Sequence, residues 1–169
     1  SLRQIDVVSQ TPLSGATQRL DRYPGNVQLA DDSDIERAQN GNLPEFMNRQ
    51  LTGVTVNDIQ GSPFQIDVNY RGHRLSPLLG TPQGLSAYLD GVRINEPFGD
   101  VMNWDLLPEA AIASLALMPG SNPLYGLNTL GGALALTTKS GLTHAGTEAD
   151  LSIGSFGRRR LDLGHGVQW

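Results

Sequence analysis

The chain has 169 residues, 38% of them hydrophobic and 17% charged, which suits one compact domain with a modest core. Its net charge is -5 and it has no cysteine. That excludes disulfides, thiolate metal sites and cysteine nucleophiles, and leaves nucleic acid without the basic surface it needs. No run approaches the roughly 18 apolar residues of a transmembrane helix. The opening residues lack a basic segment followed by an apolar one, so any secretory signal would lie upstream of Ser1.

The 20 glycines and 10 prolines predict many turns and short elements. Ile5 to Ser9 is a short β-prone run broken by Pro12 and Gly15. Asn26 to Leu29 alternates weakly, and Ser33 to Arg37 opens a single helical turn. Leu43 to Leu51 reads as a helix, with Pro44 and Glu45 in its first turn and Leu43, Phe46, Met47 and Leu51 as its apolar stripe. Gly53 ends it. Val54 to Ile59 and Gln65 to Tyr70 are strands around Gly61-Ser62-Pro63, and in the second Ile66, Val68 and Tyr70 form one buried face.

Leu85 to Leu89, Asp90-Gly91 and Val92 to Ile94 form the strongest hairpin signal. A bulky polar loop follows from Asn95 to Trp104, then a short helix start at Pro108 to Ala111. Ile112 to Met118 and Ala133 to Lys139 are further strands. After Gly141 the pattern changes. Ala149, Leu151 and Ile153 alternate with Glu148, Asp150 and Ser152, and Leu161, Leu163, His165, Val167 and Trp169 alternate with Arg160, Asp162, Gly164, Gly166 and Gln168. Runs of roughly nine to eleven residues with this period match a transmembrane β-hairpin, and equally an ordinary surface hairpin. Arg158 to Arg160 is the one dense basic run, placed by this reading at a membrane interface or in a lumen.

Nothing in this order assembles an enzyme. His73, His144 and His165 are far apart with no partner at metal spacing, and Asp31-Asp32 and Glu148/Asp150 have no nucleophile beside them, so neither catalysis nor a cofactor is expected. Gly131-Gly132 is a lone glycine pair and no phosphate loop. The loops suited to a ligand are Leu79 to Gly84 and Asn95 to Trp104, the latter gathering Glu96, Phe98, Asp100, Asn103 and Trp104, with Trp104 read as packing beneath the loop.

Taken together, LPEFMNRQLTGV at 43–54, IDVNYRG at 66–72, YLDGVRIN at 88–95, Asn122-Pro123-Leu124-Tyr125-Gly126 and Leu130-Gly131-Gly132 running to Lys139 resemble, in order, the plug domain of TonB-dependent outer-membrane receptors. The resemblance implies an α+β fold. A small mixed plug sheet of roughly four to six strands with short helices and long loops precedes the first β-hairpin of a truncated transmembrane barrel. It divides the chain into an N-terminal extension, 1–15, a plug, 16–142, and a barrel hairpin, 143–169. It implies a non-enzymatic transporter of the Gram-negative outer membrane whose plug gates the barrel and shares in substrate binding. Its partners are the periplasmic C-terminal domain of TonB, the rest of its own barrel and a nutrient such as a siderophore.

Residue by residue, Ile5, Asp6, Val7, Val8 and Ser9 stand where the family carries its TonB box, and a short β-prone segment can add to a partner's sheet edge. Arg71 matches an arginine that seats the plug against the wall, whereas Pro119-Gly120 replaces the second Arg-Gly of the pattern. Glu96, Phe98, Asp100, Asn103 and Tyr125 fall in ligand-facing loops. With its edges open, the 143–169 hairpin is expected to pair with a second copy of the chain as a homodimer. The alternative is a free-standing soluble α/β module that binds a ligand or a protein.

Overall fold

The computed structural model describes residues 25–38, 42–157 and 159–167. Two helices and ten strands follow in the order β1 (Gln28–Asp31), α1 (Asp32–Ala38), α2 (Leu43–Gln50), β2 (Val54–Ile59), β3 (Ser62–Tyr70), β4 (His73–Leu75), β5 (Leu85–Leu89), β6 (Val92–Arg93), β7 (Ile112–Pro119), β8 (Gly132–Thr138), β9 (Gly146–Ile153) and β10 (Arg159–Gly166). Helix α2 starts as its residues dictate: the Asn42 side chain accepts from the Glu45 N–H at 2.8 Å, and Arg49 pairs with Glu45 one turn later. Its apolar stripe is buried and extends to Leu51.

The strands form a five-stranded sheet in the order β1-β7-β8-β5-β6, a three-stranded sheet β2-β3-β4, and a hairpin of β9 and β10. Strand β8 is antiparallel to β7 but parallel to β5, which makes the larger sheet mixed. Leu115, Leu117, Leu134, Leu136 and Ala87 bury one face of it against Phe46, Met47, Val68 and Tyr70. A smaller cluster of Tyr88, Met118, Tyr125 and Ala133 lies apart from this core.

The larger sheet is the expected mixed sheet of roughly four to six strands, and a second, three-stranded sheet accompanies it, in which β3 turns back through Arg71-Gly72 and pairs with β4. Strand β3 is also longer than its pattern suggests, and both faces of its middle are covered: Asp67 is as buried as its neighbours Ile66 and Val68. The weak run near Leu29 became β1, and the single turn at 33–37 became the two-turn α1, whose first-turn N–H at Asp34 is capped by Asp31 at 2.9 Å.

Gly132 shows how tightly β7 and β8 approach. Its φ is +153°, and a Cβ built there would stand 2.4 Å from the Met118 carbonyl oxygen, a backbone atom with nowhere to go. Gly132→Ala is therefore expected to lower stability by about 2–4 kcal/mol, combining backbone strain with overpacking. Gly61→Ala, whose Cβ would meet open space, isolates the strain alone and is expected to cost less. Urea denaturation of the two variants would check the ranking.

Candidate functional site

Strand registers sort the loops to two ends of the larger sheet. Leu85 and Pro119 both lie opposite Gly132, so the loops 76–84 and 120–131 leave the sheet at one end. There the backbone closes on itself: Gly131 N–H donates to Gly84 C=O at 2.8 Å and Gly120 N–H to Gly131 C=O at 3.0 Å. The 95–103 loop joins them, since Met102 N–H donates to Ser76 C=O at 3.0 Å.

Asn95 makes that convergence possible. Strand β6 is only two residues long, and the buried Asn95 amide continues its ladder, accepting from Ala87 N–H at 2.7 Å and donating to Leu85 C=O at 3.2 Å. Arg93 then binds two loops at once, donating through Nη2 to Asp100 Oδ1 at 2.9 Å and to Leu127 C=O at 2.8 Å. Asn128 donates to the other Asp100 oxygen. Asp100 and Asn128 both hold left-handed backbones, with φ of 56° and 59°, a conformation that Asp and Asn adopt more readily than most residues. From below, the Tyr88 hydroxyl donates to Tyr125 C=O, and Ser86 and Thr129 join their hydroxyls. Burial, opposed by Arg93, raises the Tyr88 pKa, so its hydroxyl keeps its proton.

The five loop residues expected to face a ligand therefore take different places. Phe98 is exposed at 78%, Glu96 stands in solvent held by the Asn103 amide, and Asp100 is tied to Arg93. Tyr125 is 3% exposed and packs edge-on to Tyr88 at 6.4 Å. Trp104 lies under the loop, as its sequence context suggests, with Nε1 donating to Leu75 C=O at 3.4 Å. Arg71 is exposed in the β3–β4 turn, its guanidinium 5.1 Å from the Tyr70 ring centre. The Ile5 to Ser9 run lies outside the described residues.

Sequence reasoning missed the work of His73, Gly84 and Gly131. A Cβ on Gly131 would stand 2.3 Å from the His73 ring, and one on Gly84 2.8 Å from it, so the imidazole occupies a slot that only two glycines leave open. The Gly131-Gly132 pair was the visible signal: one glycine admits the ring, the other admits the Met118 carbonyl.

The opposite end carries the junction with the β9–β10 hairpin. The Asp90-Gly91 turn is fixed there by Asp90, which accepts from Thr138 N–H at 2.9 Å and from its hydroxyl at 2.7 Å. Lys139 bridges Glu36 of α1 at 2.7 Å and Glu148 of β9 at 3.2 Å. His144 meets Asp32 at 2.9 Å, and Arg160 of β10 meets Glu109 at 3.7 Å and Asp162 at 2.6 Å. Burial pushes the Glu109 carboxyl up, against the pull of Arg160. Burial opposes the Lys139 charge, but its bonds to Glu36 and Glu148 outweigh that and raise its pKa. Among the described residues, none after Leu136 enters the hydrophobic core.

The larger sheet is thus mixed, its loops converge at one end, and polar side-chain pairs join it to a β-hairpin at the other. The chain belongs to the TonB-dependent receptor plug domain family, whose model matches residues 19–133. Receptors of this family are outer-membrane proteins of Gram-negative bacteria that serve nutrient uptake. Among curated proteins it is similar to the vitamin B12 transporter BtuB of Vibrio cholerae serotype O1, at 25% identity over 143 residues. That match covers 84% of this chain and 22% of the relative, so the chain spans about a fifth of the relative's length.

Solved structures of similar fold include the Pseudomonas aeruginosa receptor FpvA bound to a heterologous pyoverdine and iron. The match has a TM-score of 0.63 and 18% identity, covering 84% of this chain and 18% of the receptor. The siderophore receptor PirA of Acinetobacter baumannii matches with a TM-score of 0.56 and 19% identity, over 80% of this chain and 20% of PirA.

Two outcomes follow from this geometry. Asp100→Ala removes a half-buried charge from Arg93 and puts alanine at a left-handed φ, so it is expected to cost about 1–3 kcal/mol. Faster amide exchange at Asn128 than at Leu136 would show the loss confined to the loops. Asp67 is different: burial, with Arg74 opposing, raises its pKa above 3.8, and its Oδ1 has no partner among the described residues. A raised carboxyl contributes stability that is present below about pH 3.8 and lost as pH rises through the folded value. Asp67→Asn is therefore expected to be the more stable chain at pH 7, with the difference vanishing near pH 3, by thermal melts across that range.

Proposed function

We propose that this chain gates an outer-membrane β-barrel, with residues 1–15 as the extension that receives force, 16–142 as the plug and 143–169 as the first hairpin of the wall. The observation that supports this best is the orientation of β9 and β10. Leu151, Ile153, Leu161 and Leu163 all point to solvent, with Ile153 at 76% exposure, while Glu148 and Arg160 reach the plug. A hairpin of a soluble module would bury its leucines and expose its charges. This one leaves its leucines exposed and turns Glu148 and Arg160 to contacts with the plug, which suits a strand pair with lipid outside and a polar plug inside. No helix among the described residues is long and apolar enough to cross a membrane, which says nothing of a β-barrel.

In this reading the loop end of the plug faces the outer medium and offers Phe98, Glu96 and Asn103 to the substrate, alongside barrel loops. The Lys139 end faces the periplasm. TonB takes hold of Ile5 to Ser9 by strand addition and pulls. The first described elements to feel that pull are β1, held to β7 by four residue pairs, and α1, held to the wall by Asp32–His144 and, through Lys139, by the Glu36–Lys139–Glu148 bridge. Arg71, exposed at its turn, supplies one seating contact to an acidic wall residue. Pro119 removes the other, and Arg160–Glu109 stands as the ion pair that compensates.

The experiment is to express the full-length gene in a Gram-negative host and follow the receptor into the outer-membrane fraction. Uptake of its substrate should disappear on deleting 5–9 or on removing TonB, with the receptor still in the membrane. A receptor found in the periplasm, or one that transports equally well without Ile5 to Ser9, would refute the reading. A chain cut after 142 should still fold, because the hairpin contributes nothing to the core, and should lose any self-association that the full fragment shows by light scattering.

A further inference from the structure

We infer that the loop end of the plug is built for a small ligand with apolar faces and no net negative charge, an inference that rests on the transport reading above. The loops 76–84, 95–103 and 120–131 contain no Lys, Arg or His, and their two carboxylates are Glu96 and Asp100. Basic residues stand only at their roots, and Arg93, the one that reaches between the loops, is engaged. Arg93 is bonded to Asp100 and to the Leu127 carbonyl, Arg74 lies 3.8 Å from Asp67, and the His73 ring is enclosed by Gly84 and Gly131. Lys139 is at the other end of the sheet. The three loops themselves therefore offer an anion no guanidinium or ammonium group, and the half-exposed Arg74 stands below them on β4.

What it does present is apolar. Leu79, Phe98, Leu127 and Leu130 are all more than half exposed, Leu127 at 81%. They belong to one surface: Leu79 Cδ2 would lie 2.6 Å from a Cβ on Gly99, beside Phe98, while Leu127 is tied through Arg93 to Asp100. Leu130 hangs from Gly84 by its N–H at 3.1 Å. An anion brought onto these side chains would lose water, gain no charged donor and meet the Glu96 carboxylate. A neutral molecule would bury apolar surface and could donate a hydrogen bond to Glu96, which Asn103 holds in place.

The test uses the full-length receptor, purified in detergent and titrated by calorimetry with three probes. Two are electroneutral, a ferric tris-hydroxamate and cyanocobalamin. The third, a ferric tris-catecholate, holds the same metal but is a trianion. At least one neutral probe is expected to bind about tenfold or more tightly than the trianion. Replacing both Phe98→Ser and Leu127→Ser, exposed positions that the core does not need, should weaken that probe about tenfold. Glu96→Lys should narrow the gap in favour of the trianion. The inference fails if the trianion binds as well as the neutral probes, if neither neutral probe binds, or if the double variant binds unchanged. A receptor that reaches the outer membrane and imports the trianion refutes the charge class alone, whereas one that never reaches that membrane refutes the transport reading.

Discussion

The closure of backbone on backbone at Gly84, Gly120 and Gly131 is the constraint from which the rest of this molecule follows. Strand β8 must accept β7 on one side and β5 on the other, in opposite senses, and its first residues are where the chain enters from one loop while two others leave. Side chains at those points would hold the strands apart: Gly132 faces the Met118 carbonyl and Gly131 the His73 ring. Their absence lets the N–H groups of Leu130 and Gly131 both reach the Gly84 carbonyl. The loops therefore emerge from one point, and long loops sharing a single root can form one surface. Arg93, Asp100 and Asn95 then set the separation of their tips: the Asn95 amide satisfies the Ala87 N–H and the Leu85 carbonyl that the short β6 leaves without a ladder partner, and Arg93 clasps Asp100.

Much of this was legible in the sequence, for reasons that differ by element. Helix α2 announced itself because cap, proline, acidic first turn and apolar stripe agreed. The Asp90-Gly91 hairpin was legible through turn chemistry, and the structure adds why aspartate serves there: its carboxylate also holds Thr138. Strands β7 and β8 were apolar runs bounded by glycine and proline. The division into two sheets was not legible, since β4 is three residues long and too short to show a period. Nor was the covering of Asp67, because an alternating pattern promises a solvent face and only tertiary packing removes it.

The candidate site was legible as composition but not as arrangement. That Glu96, Phe98, Asp100 and Asn103 share a loop could be read directly, but that Asp100 would turn inward to Arg93 could not, as the pairing is decided by where β6 stops. Tyr125 illustrates the same limit from the other side. Its motif placed it in a loop at the right end, yet an aromatic ring with a hydroxyl suits a covered loop root as well as a binding surface. Here Tyr88 and Met118 claim it.

The two ends of the plug are held by different physics, and this asymmetry suits a part that must stay put and then move. At the loop end, carbonyls and hydroxyls are buried and paired, so opening it would expose unsatisfied groups. At the junction with the β9–β10 hairpin the contacts are polar side-chain pairs: Lys139, His144 and Arg160 each meet a carboxylate whose side chain, apart from that of Glu109, remains partly in water. Exposed pairs of this kind contribute roughly 0–1 kcal/mol each, because water can replace either partner. The Lys139 clasp is nonetheless insensitive to physiological pH. Its folded pKa lies above 10.5, so its contribution is complete below the unfolded value and is lost only as pH rises through the folded one. Pairs of this sort can be traded for hydration while the leucine core between β7, β8 and α2 stays closed. An apolar junction would have made the same movement expose hydrocarbon at about 25 cal/mol for every square ångström. Separation along the polar seam therefore exposes less hydrocarbon than any opening of the core.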